Sequence, residues 1–270
     1  MRIAVLLTCY NRKATTLECL RRLSACKCPV DVVWAVWLNN DGCTDGTFEA
    51  VSSWFPKVNI VQGSGRDFWC GGMRRAWDAA IRSGEEYEGF LWLNDDTILL
   101  PDALQVMLER KTEHCIVVGA IRSQDGGTAT FGGEDEQGFV SPNGSWQRIR
   151  QMNGNVVYVP RSVYDEIGQL DSHWTHAMGD GDYSRTATER GINVWLTPKF
   201  VGVCERDRRL LAWQNPTVPL LKRLKHLYSP LGYSEPHLLF RYCLRHDGLM
   251  AAAKNYVSCH MKAIAPRIFA

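Results

Sequence analysis

Two adjacent carboxylates, Asp95 and Asp96, follow Asn94 directly after the apolar run Phe90-Leu91-Trp92-Leu93. Paired carboxylates at a strand end are hard oxygen donors of the kind that hold Mg2+ or Mn2+. A cation held there neutralises a diphosphate and stabilises it as a leaving group. An acidic pair in a turn is common, so its neighbours decide what it means. Asp41 and Asp45 stand in a second turn, Asn39-Asn40-Asp41-Gly42-Cys43-Thr44-Asp45. Gly71-Gly72 are expected to open a helix that carries Arg74 and Arg75. Free amides at a helix start, together with arginines, form an anion site. Trp69, just ahead of them, is suited either to stacking on a ring or to the core. Further on, Gly179 and Gly181 flank Asp180. Glycines there let a tight loop project the carboxylate into a cleft, where it takes a proton from an attacking hydroxyl. Asp182 reads as the N-cap of a helix over Tyr183–Arg190. His173 and His176 read as surface or structural histidines before they read as catalytic ones.

The elements that must position these residues alternate. Ile3–Leu7, Val32–Leu38, Val58–Val61, Gly89–Leu93 and Ile116–Ala120 are short apolar runs of the kind found in buried parallel strands. Between them, Asn11–Leu23, Thr47–Trp54, Met73–Arg82 and a stretch beginning at Pro101 have helical character. Regular strand–helix alternation predicts an α/β fold with helices on both faces of a mostly parallel sheet. Ligands bind at the carboxyl ends of such strands. Those ends carry Thr8-Cys9-Tyr10-Asn11, Asn39-Asn40-Asp41, Gly63-Ser64-Gly65 and Asn94-Asp95-Asp96, the polar and acidic segments of the chain. After Arg122 the pattern turns into short strands punctuated by glycine, then helices over Arg161–Ile167 and Asp182–Arg190 and a strand at Val194–Leu196.

At 270 residues with 45% hydrophobic and 22% charged residues, the chain is an ordinary globular protein, not a disordered or fibrous one. From Lys199 onward there are 12 Lys/Arg against 4 Asp/Glu, net +8; the rest holds 19 against 25, net −6. An acidic body with a basic tail points to an anionic partner for the tail. Nucleic acid is set aside, because the body is acidic and no recognition motif is present. Ten cysteines follow an N-terminus that runs straight into a strand, which predicts a cytoplasmic chain with reduced thiols. Cys26 and Cys28 have no second close Cys or His pair to complete a zinc site.

Taken together, five stretches resemble family 2 inverting glycosyltransferases, which have the GT-A fold. They are Leu7-Thr8-Cys9-Tyr10-Asn11-Arg12, Asp41 to Thr47, Leu93-Asn94-Asp95-Asp96, Gly154-Asn155 ahead of Val159-Pro160-Arg161, and Gly179-Asp180-Gly181-Asp182-Tyr183. Bacterial rhamnosyl- and other surface-polysaccharide transferases are the most similar members. The resemblance implies that Thr8, Tyr10, Asn11, Asn40 and Asp41 line the nucleotide pocket, beside the anion site at Gly71 and Gly72. It implies that Asp95, next to Asn94, faces ribose or diphosphate, that Asp96 binds Mg2+ or Mn2+, and that Asp180 is the base. The substrate is then a nucleotide-sugar donor (UDP-, dTDP- or GDP-sugar), and the acceptor a glycan or lipid-linked saccharide. The chain departs from the pattern at Asn40, at Gly179 and at Asn94, where acidic residues are usual. Glu205 is the residue expected to complete the metal site.

The implied organisation is a GT-A domain over 1–205, split into a nucleotide-binding half (1–122) and an acceptor-binding half (123–205). A basic helical extension occupies 206–270. Leu220–Tyr228 mixes basic and apolar residues as a membrane-surface helix does, which suggests the inner face of the membrane. The helical spacing of Leu238–Ile268 suits packing on the body or in a homodimer. Two other readings compete: a sugar-phosphate nucleotidyltransferase, and an inactive carbohydrate- or nucleotide-binding relative. The first expects a glycine-rich loop after the first strand, where Thr8-Cys9-Tyr10-Asn11-Arg12 stands.

Overall fold

A computed structural model describes residues 1–207 and 209–268. The chain runs through β1 (Arg2–Cys9), α1 (Lys13–Ala25), β2 (Val33–Asn40), α2 (Thr47–Trp54), β3 (Asn59–Gln62), α3 (Phe68–Arg82) and β4 (Gly89–Leu93). Next come β5 (Ile98–Leu99), α4 (Ala103–Met107), β6 (Cys115–Arg122) and five short strands. These are β7 (Ala129–Phe131), β8 (Gly133–Asp135), β9 (Gly138–Val140), β10 (Gln147–Arg148) and β11 (Gln151–Met152). Then follow β12 (Val156–Pro160), α5 (Arg161–Ile167), α6 (Gly179–Glu189), β13 (Asn193–Val203), α7 (Leu220–Leu227), α8 (Pro236–His246) and α9 (Leu249–Ile264).

The main sheet has the order β10-β13-β6-β12-β4-β1-β2-β3. It is parallel from β4 through β3 and between β6 and β13, as expected. The sequence pattern did not reveal that β12 inserts antiparallel between β4 and β6. Its apolar run is buried on both faces, like its parallel neighbours, so its residue types carry no mark of direction. Strand residues alternate between two cores. Ile3, Val5 and Leu7 pack with α1 and α4 on one face; Ala4, Leu6, Phe90 and Trp92 pack with α3, α5 and α6 on the other. Burying each large side chain contributes roughly 1.5–3 kcal/mol.

The C-terminal helices dock on this body. Arg185 of α6 forms a paired contact with Asp247 at 2.7 and 3.1 Å. The Tyr242 hydroxyl donates to Gln151 Oε1 at 3.1 Å. A separate small core of Trp213, Leu227, Cys259 and Ala263 ties α7 to α9. Among the described residues, no helix is long and apolar enough to cross a membrane.

Candidate active site

The carboxyl ends of β1, β2 and β4 meet on one rim, and the expected residues gather there. Asn11 takes a left-handed conformation (φ 51°), and its Oδ1 accepts the Thr44 amide at 2.7 Å. Asp45 accepts the Lys13 and Thr47 amides at 2.9 and 3.1 Å, joining the start of α1 to α2. Tyr10 is exposed at the mouth. Thr8 turns inward and accepts from Asn39 Nδ2 at 3.1 Å.

Asn40 is buried; its Nδ2 donates to Gln62 Oε1 at 2.9 Å, and its Oδ1 has no hydrogen-bond partner. Asp41 is buried too. Its Oδ1 accepts the Gly65 amide at 2.7 Å, and its Oδ2 accepts those of Asp67 and Phe68 at 3.0 and 3.2 Å. Asp41 therefore shapes the pocket wall and offers no free carboxylate.

The glycine pair behaves differently from the expectation. Helix α3 opens at Phe68, so Gly71 and Gly72 lie inside its first turns. The Cys70 and Gly71 amides point at the Thr175 carbonyl, at 3.0 and 3.4 Å. Arg74 donates to the carbonyls of Asp171 and Trp174 at 3.0 and 2.7 Å, and Arg75 pairs with Asp67 at 2.6 Å. These donors are occupied, which corrects the reading of a free anion site. Gly72 serves packing: a Cβ there would overlap the Thr8 hydroxyl and Asn39.

The acidic turn is built around a residue that the sequence reading used only as part of a motif. Arg12 Nη1 donates to Asp95 Oδ1 at 2.9 Å and to Asp96 Oδ2 at 2.8 Å. Asp95 is buried, and its Oδ2 accepts from Thr16 at 3.1 Å. Burial pushes the Asp95 carboxyl up to about 6; Arg12 pulls against the shift and Asp96 adds to it. The Asp96 side chain is 34% exposed. Among the described residues its Oδ1 meets the Cys204 thiol, at 3.7 Å. That thiol is pushed up to about 12, chiefly by burial. Glu205, expected to complete a metal site, accepts the Gln124 amide through Oε1 at 2.6 Å.

Among the described residues no cluster of three His, Cys, Asp or Glu is placed to hold a metal ion. The donor chemistry still fits Mg2+ or Mn2+, which bind through one or two carboxylates plus substrate phosphates instead of a protein cage. Asp96 Oδ1 is the oxygen so placed.

Asn94 connects this turn to Asp180. Its Oδ1 accepts from Trp69 Nε1 at 2.6 Å, and its amide donates to the Asn155 carbonyl at 2.9 Å. The Trp69 ring runs over Gly154, where any Cβ would collide with it. The Gly154 amide in turn donates to Asp180 Oδ2 at 2.9 Å. Asp180 lies in the first turn of α6, not in a loop ahead of it, and its Oδ1 accepts the Gly181 amide at 2.9 Å. Burial raises its pKa, and the two amides pull it back. Met178 occupies the N-cap position in a left-handed conformation (φ 72°). Asp182, expected as the cap, is buried inside the helix against Arg245 at 3.1 Å and His246 at 2.9 Å. Gly179 faces the Cys70 thiol so closely that a Cβ would collide with it.

Residues 4–169 match the domain described as glycosyl transferase family 2. No curated protein matches the chain. Among solved structures, S. aureus TarS aligns at 13% identity and TM-score 0.58, covering 98% of this chain and 55% of TarS. The chain thus spans about half the length of that protein. The TarS 1–349 fragment in complex with UDP-GlcNAc aligns at 12% identity and TM-score 0.57, covering 99% and 92%. The mannosyltransferase PcManGT from Pyrobaculum calidifontis, in complex with GDP-Man and Mn2+, aligns at 16% identity and TM-score 0.56, covering 98% and 86%. With the family matched over more than half its length and the same sheet and helix arrangement, the chain is a family 2 glycosyltransferase of the GT-A fold.

Proposed function

We propose that the protein moves a sugar from a UDP-, GDP- or dTDP-sugar to a hydroxyl of a glycan or lipid-linked acceptor, with inversion, in the synthesis of a cell-surface polysaccharide. The observation that carries this reading is the link from Asn94, in the turn that bears Asp96, through Trp69 and Gly154 to Asp180, joining a carboxylate suited to a cation to a proton acceptor. Thr8, Tyr10, Asn11, Asn40 and Asp41 shape the nucleotide side of the rim. Arg12 places positive charge beside Asp95 and Asp96, where a diphosphate would otherwise meet two carboxylates. A Mg2+ or Mn2+ ion held at Asp96 would neutralise the departing diphosphate. Asp180 accepts the proton of the acceptor hydroxyl as that oxygen attacks the anomeric carbon. The bond to the nucleoside diphosphate breaks on the opposite face, and a single displacement inverts the configuration. The raised pKa of Asp180 brings it nearer to neutral pH, where a base works best.

Residues 1–205 form the transferase domain in this reading. The basic extension meets an anionic lipid surface at the inner face of the membrane, bringing the site to lipid-linked acceptors. The test is a panel of UDP-, GDP- and dTDP-sugars with Mn2+, read by thermal shift and nucleotide release. Stabilisation and turnover by one donor, both lost with chelator, is the expected result. No response to any donor would leave an inactive sugar- or nucleotide-binding relative as the better reading.

A further inference from the structure

Beyond the residues already given roles, an aromatic wall stands beside the acidic turn. Phe68 and His176 have ring centroids 6.0 Å apart, and His176 and Tyr233 4.9 Å apart. Three distant stretches meet here: the start of α3, the loop before α6, and the segment between α7 and α8. The wall adjoins the site: the Phe68 amide donates to Asp41 Oδ2 at 3.2 Å, and Trp69, whose amide faces His176, donates through its ring to Asn94 at 2.6 Å. Both outer members, Phe68 (φ 52°) and Tyr233 (φ 57°), hold left-handed backbone conformations, which side-chain-bearing residues seldom adopt and which concentrate at functional sites. Tyr233 is 52% exposed, so one face of the wall is open.

His176 carries a second signal. Its Nδ1 faces the Trp69 amide at 3.4 Å, and an acceptor role there puts the ring proton on Nε2. That Nε2 is buried and has no hydrogen-bond partner. A buried donor without an acceptor is costly, so an oxygen brought to it by a ligand gains a hydrogen bond. Aromatic faces with a hydrogen-bond donor between them suit a pyranose ring, which presents C–H groups on its faces and hydroxyls at its edge.

We infer that Phe68, His176 and Tyr233 form the seat of a hexopyranose, with Tyr233 contributed by the C-terminal extension and the His176 Nε2–H donating to a sugar hydroxyl as Tyr233 tilts. The seat rests on the transferase reading and deepens it, because it makes the extension a part of the sugar site. The ring it holds is either the donor sugar or the terminal sugar of the acceptor.

The two sources separate experimentally in Tyr233→Ala and Tyr233→Phe variants of the full chain. The probes are UDP, GDP and dTDP, their hexose conjugates, and methyl hexopyranosides added with the nucleoside diphosphate, all with Mn2+. Binding is followed by calorimetry, and ring-proton contact by saturation-transfer NMR. If the donor sugar sits there, Tyr233→Ala weakens the hexose conjugate roughly tenfold and leaves the free nucleoside diphosphate unchanged. If the acceptor sits there, both nucleotides bind as before, and saturation transfer to the methyl glycoside is lost. In either case Tyr233→Phe, which keeps the ring, behaves as the parent, and His176→Ala reproduces the loss. Unchanged conjugate binding and unchanged glycoside contact in Tyr233→Ala would overturn the seat alone. Failure of the parent protein to bind any nucleotide would overturn the transferase reading beneath it.

Discussion

In the proposed mechanism Asp180 and Asp96 divide the chemistry, and substitutions at the two carboxylates separate their roles. Asp180→Asn keeps the contact with the Gly154 amide but removes the proton acceptor. Transfer is expected to fall by at least about 100-fold, the usual reach of a general base, while donor affinity holds. Full turnover in that variant would dismiss Asp180 as the base. Asp96→Ala removes the oxygen that faces Cys204 and one partner of Arg12, so donor binding should lose its response to Mn2+. A calorimetric titration with and without chelator reads this directly. His176 answers a different question. Burial, with Arg12 adding to it, holds its pKa down at about 4, against an ordinary 6.5. Its neutral form therefore contributes stability that is complete above about pH 6.5 and is lost as pH falls toward 4, by up to roughly 3 kcal/mol. In His176→Gln the acid side of the melting-temperature profile between those limits should flatten. An unchanged profile would mean that the ring protonates freely in the folded protein.

At the scale of elements, α6 is held between two kinds of contact. Its first turn presents Asp180 to Gly154, while its inner face is bound by α8 through Asp182, Glu189 and Arg185. The His246 side chain is sealed from solvent between Asp182 and Glu189. Truncating an enclosed imidazole leaves the buried Asp182 carboxylate without one of its hydrogen-bond partners, at a cost of roughly 1–3 kcal/mol. His246→Ala should lower the urea midpoint by a corresponding amount and reduce kcat more than KM, because it loosens the helix that carries Asp180, the proposed base. A variant with the parent's midpoint would show that α8 only lies against α6. Most strands and helices of the body were legible in the sequence. Thr47–Trp54, Gly89–Leu93 and Arg161–Ile167 fall where composition and periodicity put them. Apart from the antiparallel insertion of β12, the structure departs from the sequence pattern at helix starts. Gly71-Gly72 look like an opening because glycine is a poor helix former. They sit inside α3 because Gly72 packs without a Cβ against Thr8, and tertiary packing overrides propensity. Asp182 has the residue type of a cap, but its partners, Arg245 and His246, come from more than sixty positions away, and no local pattern announces them. Arg12 was visible as a residue but not as the bridge between Asp95 and Asp96, because a salt bridge spanning over eighty positions leaves no spacing to read.

For the whole molecule, charge and apolar surface coincide on the extension. The outer face of α9 carries Met250, Val257, Met261 and Ile264, all exposed, with Lys254 set among them. Leu221, Lys222 and Lys225 form the outer face of the adjoining α7. Neither helix contains an Asp or Glu. A second copy seated on the α9 stripe would bring Lys254 against an equally basic surface with no acid to receive it. In the proposed reading an anionic bilayer would accept the same face, with the apolar side chains entering the interface and the lysines extending toward the headgroups. Each lysine near such a surface contributes about 1 kcal/mol, so a few of them with a short apolar stripe give reversible attachment. The full chain should therefore float with phosphatidylglycerol vesicles at low salt, stay behind with phosphatidylcholine vesicles, and lose attachment as salt shortens the reach of the charges. Met250→Asp combined with Ile264→Asp changes only exposed positions and should abolish flotation while leaving nucleotide binding intact. If the parent chain fails to float at low salt, or if the double variant floats as well as the parent, the α9 face is not the membrane contact. A concentration-dependent dimer that the same two substitutions dissolve would instead assign the stripe to a second copy.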